Sequence, residues 1–388
     1  MSRGEVPALA APAGGWRRVA VVFGVTKALQ AAALLLGAAA FFVPAQRWNY
    51  LVFSDHDVGL LAALVNWDGQ HYLRLAMQGY PWPPDASTAF YPLFPWLISL
   101  FMLPGLHPIA AGLLVVMLCS ALALWLLQRL LPADEASPSS LWLLMCFPTA
   151  FYMSVVYSEA LFLAAFFGLL LALREPGRAR WALVCAAALP LTRGQGLWLL
   201  VPLTVAWLAL LWPAAARAAP HRRSLAYATA GYALGALAYA GFLTWRYGDP
   251  RVIFYVQQEL FVFKIAPGNF FDLGRFVEYL LRPSQHFFDP NNAGFDKLMM
   301  LVSLLAMAVG MRRTREPFLL AAWATFAVFP ALMGEGGSYG RHALLPWACF
   351  VVAAGPSLPR WAKWTLLIAG FASQVLLAPL FGGNHWVG

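Results

Sequence analysis

Long apolar runs broken by short polar clusters dominate this sequence, and they leave little choice but a bundle of membrane-crossing helices. Spans are expected near 19–43, 109–127, 139–156, 159–173, 181–191, 196–213, 225–245, 298–311, 317–333, 343–355 and 363–380, eleven in all. Only 11% of the 388 residues are charged, against about 25% in an ordinary globular domain. A water-soluble fold of this size is excluded, because too little charge exists to cover its surface. Segments 181–191 and 343–355 fall short of the roughly 17 residues a full crossing needs, so they must borrow flanking residues or cross a thinned region. The first apolar stretch is too long for a secretory signal core and reads as a retained span. Cys119, Cys146, Cys185 and Cys349 lie inside apolar runs with no CxxC spacing, so they read as small core hydrophobes.

The segment 90–105, "FYPLFPWLISLFMLPG", decides the parity of everything after it. With two prolines and fewer than 17 apolar residues it reads as an interfacial or re-entrant helix. Fifteen cations then share one side, among them Arg17, Arg18, Arg129, Arg174, Arg178, Arg223, Arg312 and Arg360, and that side nets +10. The opposite side nets −2, and Lys27 inside the first span completes the overall +9. The excess of Lys and Arg in short loops marks the cytoplasmic side, which also takes the N-terminus. Both long non-spanning regions, 44–108 and 246–296, land on the outer face within a single membrane domain covering 1–388. The polar turns at Glu159, Arg193 and Arg341 land there too. This is the layout of a one-sided active site, whereas a transporter would place ionisable groups near the midplane of a repeated fold.

The richest polar segment is "NWDGQHYLRLAMQGY" at 66–80. On a helix, Leu60, Leu61, Leu64, Val65, Tyr72, Leu75 and Ala76 form an apolar face and Asn66, Gln70 and Arg74 the opposite one. Asp68 and His71 fall inside the apolar face, three residues apart, where they can share a target. A carboxylate there is costly unless paired or used, which makes Asp68 the foremost candidate for chemistry; an N-cap role is the plainer alternative. Glu159, in "VVYSE" after Tyr157, is either a carboxylate favoured by a helix start or a contact to a substrate hydroxyl. Arg193 in "LTRGQG" has no acid nearby in sequence, and Arg341 in "GEGGSYGRHALLP" is similar, flanked by a glycine-rich outer turn and by His342. They either snorkel to headgroups or, with His342, hold an anionic leaving group such as a phosphate. The phenylalanines of 246–296 suggest a surface in the interface or a greasy groove. Zinc proteolysis, serine hydrolysis, ATP use and NAD use have no motif, and the positive charge gives no reason to invoke nucleic acid.

"NWDGQHYLRLAMQGY" followed by "AFYPLFPWL", "FPTAFYMSVVYSEALF", "LTRGQG", "RYGDPRVIFYVQQ" and "GRHALLP" resembles, in that order, the PIG-V family, the GPI mannosyltransferase 2 type. Its relatives include bacterial members of the GT-C glycosyltransferase superfamily. The resemblance implies an all-α polytopic GT-C-type bundle in a bacterial inner membrane, with interfacial helices in the first outer loop. It implies an outer-face site that moves a sugar, typically mannose, from a polyprenyl phosphate to the hydroxyl of a glycolipid or glycan, with Asp68 as the catalytic acid. Asp85 stands where the family often has a glutamate, which shortens the reach and makes it secondary. Asp68 would then be the general base of an inverting transfer, with Arg193, Arg341 and His342 on the phosphate. His71, Tyr157, Glu159 and Gln195 would orient sugar or acceptor. No cofactor is required, although a divalent metal stays open. A lipid-linked sugar flippase or small-solute transporter is the alternative.

Overall fold

The computed structural model describes residues 15–41, 43, 51–53, 58–131, 138–260, 272–288, 293–333 and 338–387. Among these residues the regular structure is entirely helical. The principal helices are α1 (Gly15–Ala40), α2 (Asp68–Gln78), α3 (Leu93–Met102), α4 (Pro108–Leu130), α5 (Pro138–Met145), α6 (Glu159–Arg174) and α7 (Ala179–Thr192). They continue with α8 (Leu200–Ala209), α9 (Arg222–Tyr247), α10 (Gly294–Gly310), α11 (Pro317–Met333), α12 (Leu344–Ala354) and α13 (Arg360–Gly382). Of the described helices, α1, α4 and α13 are each long and apolar enough to cross a bilayer alone.

Two inner helices make the core. Every α6 residue from Glu159 to Leu173 except Leu161 is buried, and α12 is buried except at Ala353. Both are apolar around their whole circumference, as a helix surrounded by other helices must be. The outer helices expose Leu29, Leu36, Leu118, Leu237, Leu305 and Ile368 on faces suited to lipid. Exposed tryptophans gather at the helix ends: Trp16, Trp181, Trp361 and Trp364 at one end of the bundle, Trp96 and Trp245 at the other. Close crossings depend on glycine. A Cβ at Gly231 or Gly235 of α9 would strike the Leu183 and Ala187 carbonyls of α7, so this four-residue glycine spacing lets the two backbones touch.

The expected span at 139–156 is not one helix. Helix α5 stops at Met145, the chain turns through Pro148, and a 3-10 turn covers Ala150–Ser154. Proline removes an amide donor and disfavours helix in the residue before it, which explains the break. Such backbone is tolerated inside a membrane bundle only if protein groups satisfy it. Gln374 of α13 donates to the Met145 and Phe147 carbonyls, both at 2.7 Å, and Gln30 of α1 donates to Met145 at 3.2 Å. Ser120 of α4 and the Lys27 amine both donate to the Met153 carbonyl. Lys27 and the apolar-run glutamines thus serve the broken segment, which leads directly into Glu159.

The first outer region also departs from the simple helical wheel. Residues 59–64 are a 3-10 turn, and α2 begins only at Asp68. Leu60 and Leu61, assigned to the apolar face, are about half exposed, while Asn66 and Gln70, assigned to the polar face, are buried. Asn66 donates to the Phe381 carbonyl at 2.9 Å, and Gln70 takes the Val52 and Phe53 amides at 3.2 and 3.1 Å. Helix α3, inside segment 90–105, is too short to cross and is tied to α2 by Ser99, whose hydroxyl donates to the Ala76 carbonyl at 2.7 Å. In the aromatic region, Phe254 and Phe287 are exposed and Phe295 joins the core, while Phe261, Phe263, Phe270 and Phe271 lie outside the described residues.

Candidate active site

Four charged side chains from four separate segments converge at one end of the bundle. Asp68 and Glu159 are the first residues of α2 and α6, where the helix dipole favours a carboxylate. Arg193 closes α7, an end that favours a cation, and Arg341 lies in the short helical turn Tyr339–His342. Arg341 pairs through Nη1 with Asp68 Oδ2 and through Nε with Glu159 Oε1. Arg193 Nη1 reaches the same Glu159 oxygen. The arginines expected to be isolated therefore have acid partners supplied by the fold. Their side chains are 7% and 9% exposed, Glu159 is 2% exposed and Asp68, the most open, 18%. Two carboxylates against two guanidiniums leave this group with no net charge.

The rings of Tyr157 and Tyr152 lie 4.6 and 5.8 Å from the Arg341 guanidinium carbon and add cation–π support. The Tyr157 hydroxyl accepts the Asp68 amide at 3.1 Å and donates to the Asn66 carbonyl at 3.2 Å, pinning the start of α2. Asp68 does not cap that helix. Trp67 occupies the cap position with φ +56°, a left-handed conformation rare for an indole residue. Ser338, three residues before Arg341, has φ +62°. Backbone strain thus sits beside both members of the Asp68–Arg341 pair.

Gln195 links the second arginine to His342. Its Oε1 accepts Arg193 Nε at 3.2 Å, and its Nε2 donates to His342 Nδ1 at 2.9 Å. Arg193 Nη2 reaches the same nitrogen at 3.2 Å. Two donors on Nδ1 make it an acceptor and leave the ring proton on Nε2. Burial, reinforced by the Arg193 and Arg341 charges, pushes the His342 imidazole well below its ordinary range, so it is neutral. His342 can give an anion one hydrogen bond and no positive charge.

His71 and Asp85 form a neighbouring group rather than joining this one. His71 Nδ1 meets Ser87 Oγ at 2.8 Å and its ring stacks on Phe90. Arg74 bonds Asp85 Oδ2 at 2.6 Å and Ser87 Oγ at 3.1 Å. Asp85 also caps the Ala86–Ala89 turn through the Ser87 amide. Burial pushes the His71 imidazole down to about 4 against the opposing fields of Asp68 and Asp85. Asp68 and His71 therefore share a helix but not a bonding partner.

With this geometry in view, residues 39–198 match the family model described as Mannosyltransferase (PIG-V). Over this stretch, less than half of its length, the chain is similar to the PIG-V mannosyltransferases. No curated protein sequence matches it. Its fold is similar to that of the Archaeoglobus fulgidus oligosaccharyltransferase in the apo form, a GT-C fold member, with a TM-score of 0.51 and 15% identity. That likeness covers 95% of this chain and 56% of the archaeal one, so this chain spans little more than half its length. At such identity the likeness bears on fold alone. The PIG-V match contains Asp68, Glu159 and Arg193 but ends before Arg341 and His342, so the fold completes a site that the matched stretch only begins.

Sequence reasoning missed Asp296. It is fully buried near the start of α10, and its Oδ1 accepts the Gly340 amide at 2.6 Å. Thr149 donates to the Gly340 carbonyl at 2.9 Å, so the turn bearing Arg341 is held from both sides. An acid at the head of an apolar run was the available signal, as for Glu159, but its position at the edge of the 246–296 region hid it. Among the described residues, no three His, Cys, Asp or Glu side chains are grouped to hold a metal ion.

Proposed function

We propose that the chain is an inverting glycosyltransferase that moves a sugar, mannose by family analogy, from a polyprenyl-phosphate donor to an acceptor hydroxyl at the outer face of the membrane. The observation carrying this reading is a partly open carboxylate, Asp68, joined to the buried Arg341 guanidinium, which shares Glu159 with Arg193. The acceptor oxygen attacks the anomeric carbon and its proton passes to Asp68. The bond from that carbon to the phosphate oxygen breaks opposite, its electron pair stays with the phosphate, and the configuration inverts. Arg341 and Arg193 hold the departing phosphate, with the His342 Nε2 proton as a further donor. Glu159 and Gln195 fix the two arginines, Tyr157 fixes Asp68, and His71 and Asp85 line the approach for sugar or acceptor.

The sidedness rests on the two bundle ends. The Asp68 end carries this neutral group, whereas the other carries Arg174 at the last turn of α6 and Arg178 and Arg180 beyond it, as a cytoplasmic side would. In this reading the chain crosses eleven times, with α5 and residues 146–158 together making one crossing, the N-terminus in the cytoplasm and the site in the periplasm. The acceptor is a glycolipid or glycan.

Purified protein incubated with a panel of polyprenyl-phosphate sugars and candidate acceptors tests the reaction. Asp68→Asn keeps the shape and removes the base, so transfer should fall by about 10²–10⁴-fold while the protein still inserts and stays folded. Near wild-type turnover in that variant would sink the assignment.

A further inference from the structure

In the resting site Arg341 already holds two carboxylates, through Nη1 and Nε, and that raises the question of how it could receive a phosphate. One guanidinium bridges Asp68 and Glu159, and the charges already cancel. To be held by two nitrogens of Arg341, an entering anion must take the place of one carboxylate. Glu159 is 2% exposed and gripped by both arginines, whereas Asp68 is 18% exposed and lies at the open side of Arg341. Asp68 is the partner that can leave. We propose that the donor phosphate displaces Asp68 from Arg341, so that donor binding itself uncovers the base and the donor must enter before the acceptor is activated. This rests on the reading of Arg341 as the phosphate-holding residue.

The exchange keeps the buried cation paired throughout. A lone guanidinium there would carry a large desolvation penalty, but it faces Asp68 before binding and phosphate afterwards. It also changes what Asp68 can do. Its carboxylate oxygen, held by Arg341 at rest, becomes open to a proton from the acceptor hydroxyl. The base is therefore open when the sugar donor is in place and engaged when only water or acceptor is present. Because the Asp68–Arg341 contact opposes donor binding, removing the Asp68 charge should tighten it, an unusual expectation for a base.

Binding of farnesyl phosphate and of farnesol to the full-length protein in detergent tests this. Asp68→Asn should bind farnesyl phosphate at least about tenfold tighter than wild type, as expected when a close charge pair no longer competes. Asp249→Asn removes another carboxylate, paired with Arg251 just past the end of α9, and should shift affinity by no more than about twofold, which separates Arg341 release from a general field effect. Adding Arg341→Gln to Asp68→Asn should abolish the gain. Asp68→Ser serves the same purpose should Asp68→Asn not be recovered folded. Unchanged or weaker binding in Asp68→Asn, or an equal gain in Asp249→Asn, overturns the exchange while leaving the phosphate site in place. If wild type and all variants bind farnesyl phosphate no better than farnesol, the phosphate reading fails and the exchange falls with it.

Discussion

Helix α6 has an ion group at each end, and the two differ in what they cost. At its start Glu159 meets Arg193 and Arg341, with no side chain of the three more than 9% exposed. At its finish Arg174 bonds Glu316 at 2.9 Å and the Leu130 carbonyl at 3.0 Å, with 24% and 35% of the paired side chains exposed. Arg178 and Glu175 pair just beyond. Half-exposed pairs of this kind contribute about 0–1 kcal/mol and need only suit their surroundings. Buried ones rarely repay their desolvation, so stability alone gives little reason to place four charges at the start of α6. In the proposed reading, the difference separates an end that orients the chain in a membrane from an end that carries chemistry.

The sharpest way to break that comparison is Glu159→Gln. It leaves two buried guanidiniums short of a counter-charge and should lower stability by about 3–5 kcal/mol, besides abolishing sugar transfer. Thermal unfolding in detergent, with transfer assayed in parallel, measures both. A variant as stable as wild type would mean that the start of α6 is as well solvated as its finish.

The pH dependence of stability sharpens the same contrast from the neighbouring group. His71 is held neutral with its pKa near 4, below the unfolded value of about 6.5. Between those values the unfolded chain binds the extra proton, so stability is full above about 6.5 and falls as the pH drops towards 4. From pH 7 to pH 5 this contribution should decline by about 2 kcal/mol. His71→Asn, which can still bond Ser87, should flatten that slope. Parallel pH profiles for the two proteins would remove His71 from the account.

What the sequence disclosed follows the same division. Helices α4, α6 and α9 begin and end within a few residues of the expected 109–127, 159–173 and 225–245, because an apolar run ending in polar residues is a local signal. The break at Pro148 was harder to see, since the residues around it are as apolar as a continuous span. The groups that satisfy it, Lys27, Gln30, Ser120 and Gln374, belong to three other helices. Asp68 and the two arginines stood out because charge within apolar sequence is costly. Their pairing did not, since Asp68 and Arg341 are 273 residues apart and only the fold brings them together. Asp85 entered only through the family resemblance, as a secondary residue, and its cap and its bond to Arg74 emerge only in three dimensions.

The smallest effect is expected at the other end of α6. Arg174→Ala removes the Glu316 pair and one bond to the last turn of α4, yet should cost no more than about 1 kcal/mol and leave transfer unchanged. The reason is access: at the headgroup level, water or lipid can satisfy both the Leu130 carbonyl and the Glu316 carboxylate once the guanidinium has gone. Glu159 has no such substitute, being enclosed by arginines and tyrosines. If thermal unfolding gave Arg174→Ala a loss comparable to that of Glu159→Gln, both ends of α6 would be dry. The cationic end could then no longer be read as lying at the membrane surface, and the assignment of the Asp68 end to the outer face would lose its support.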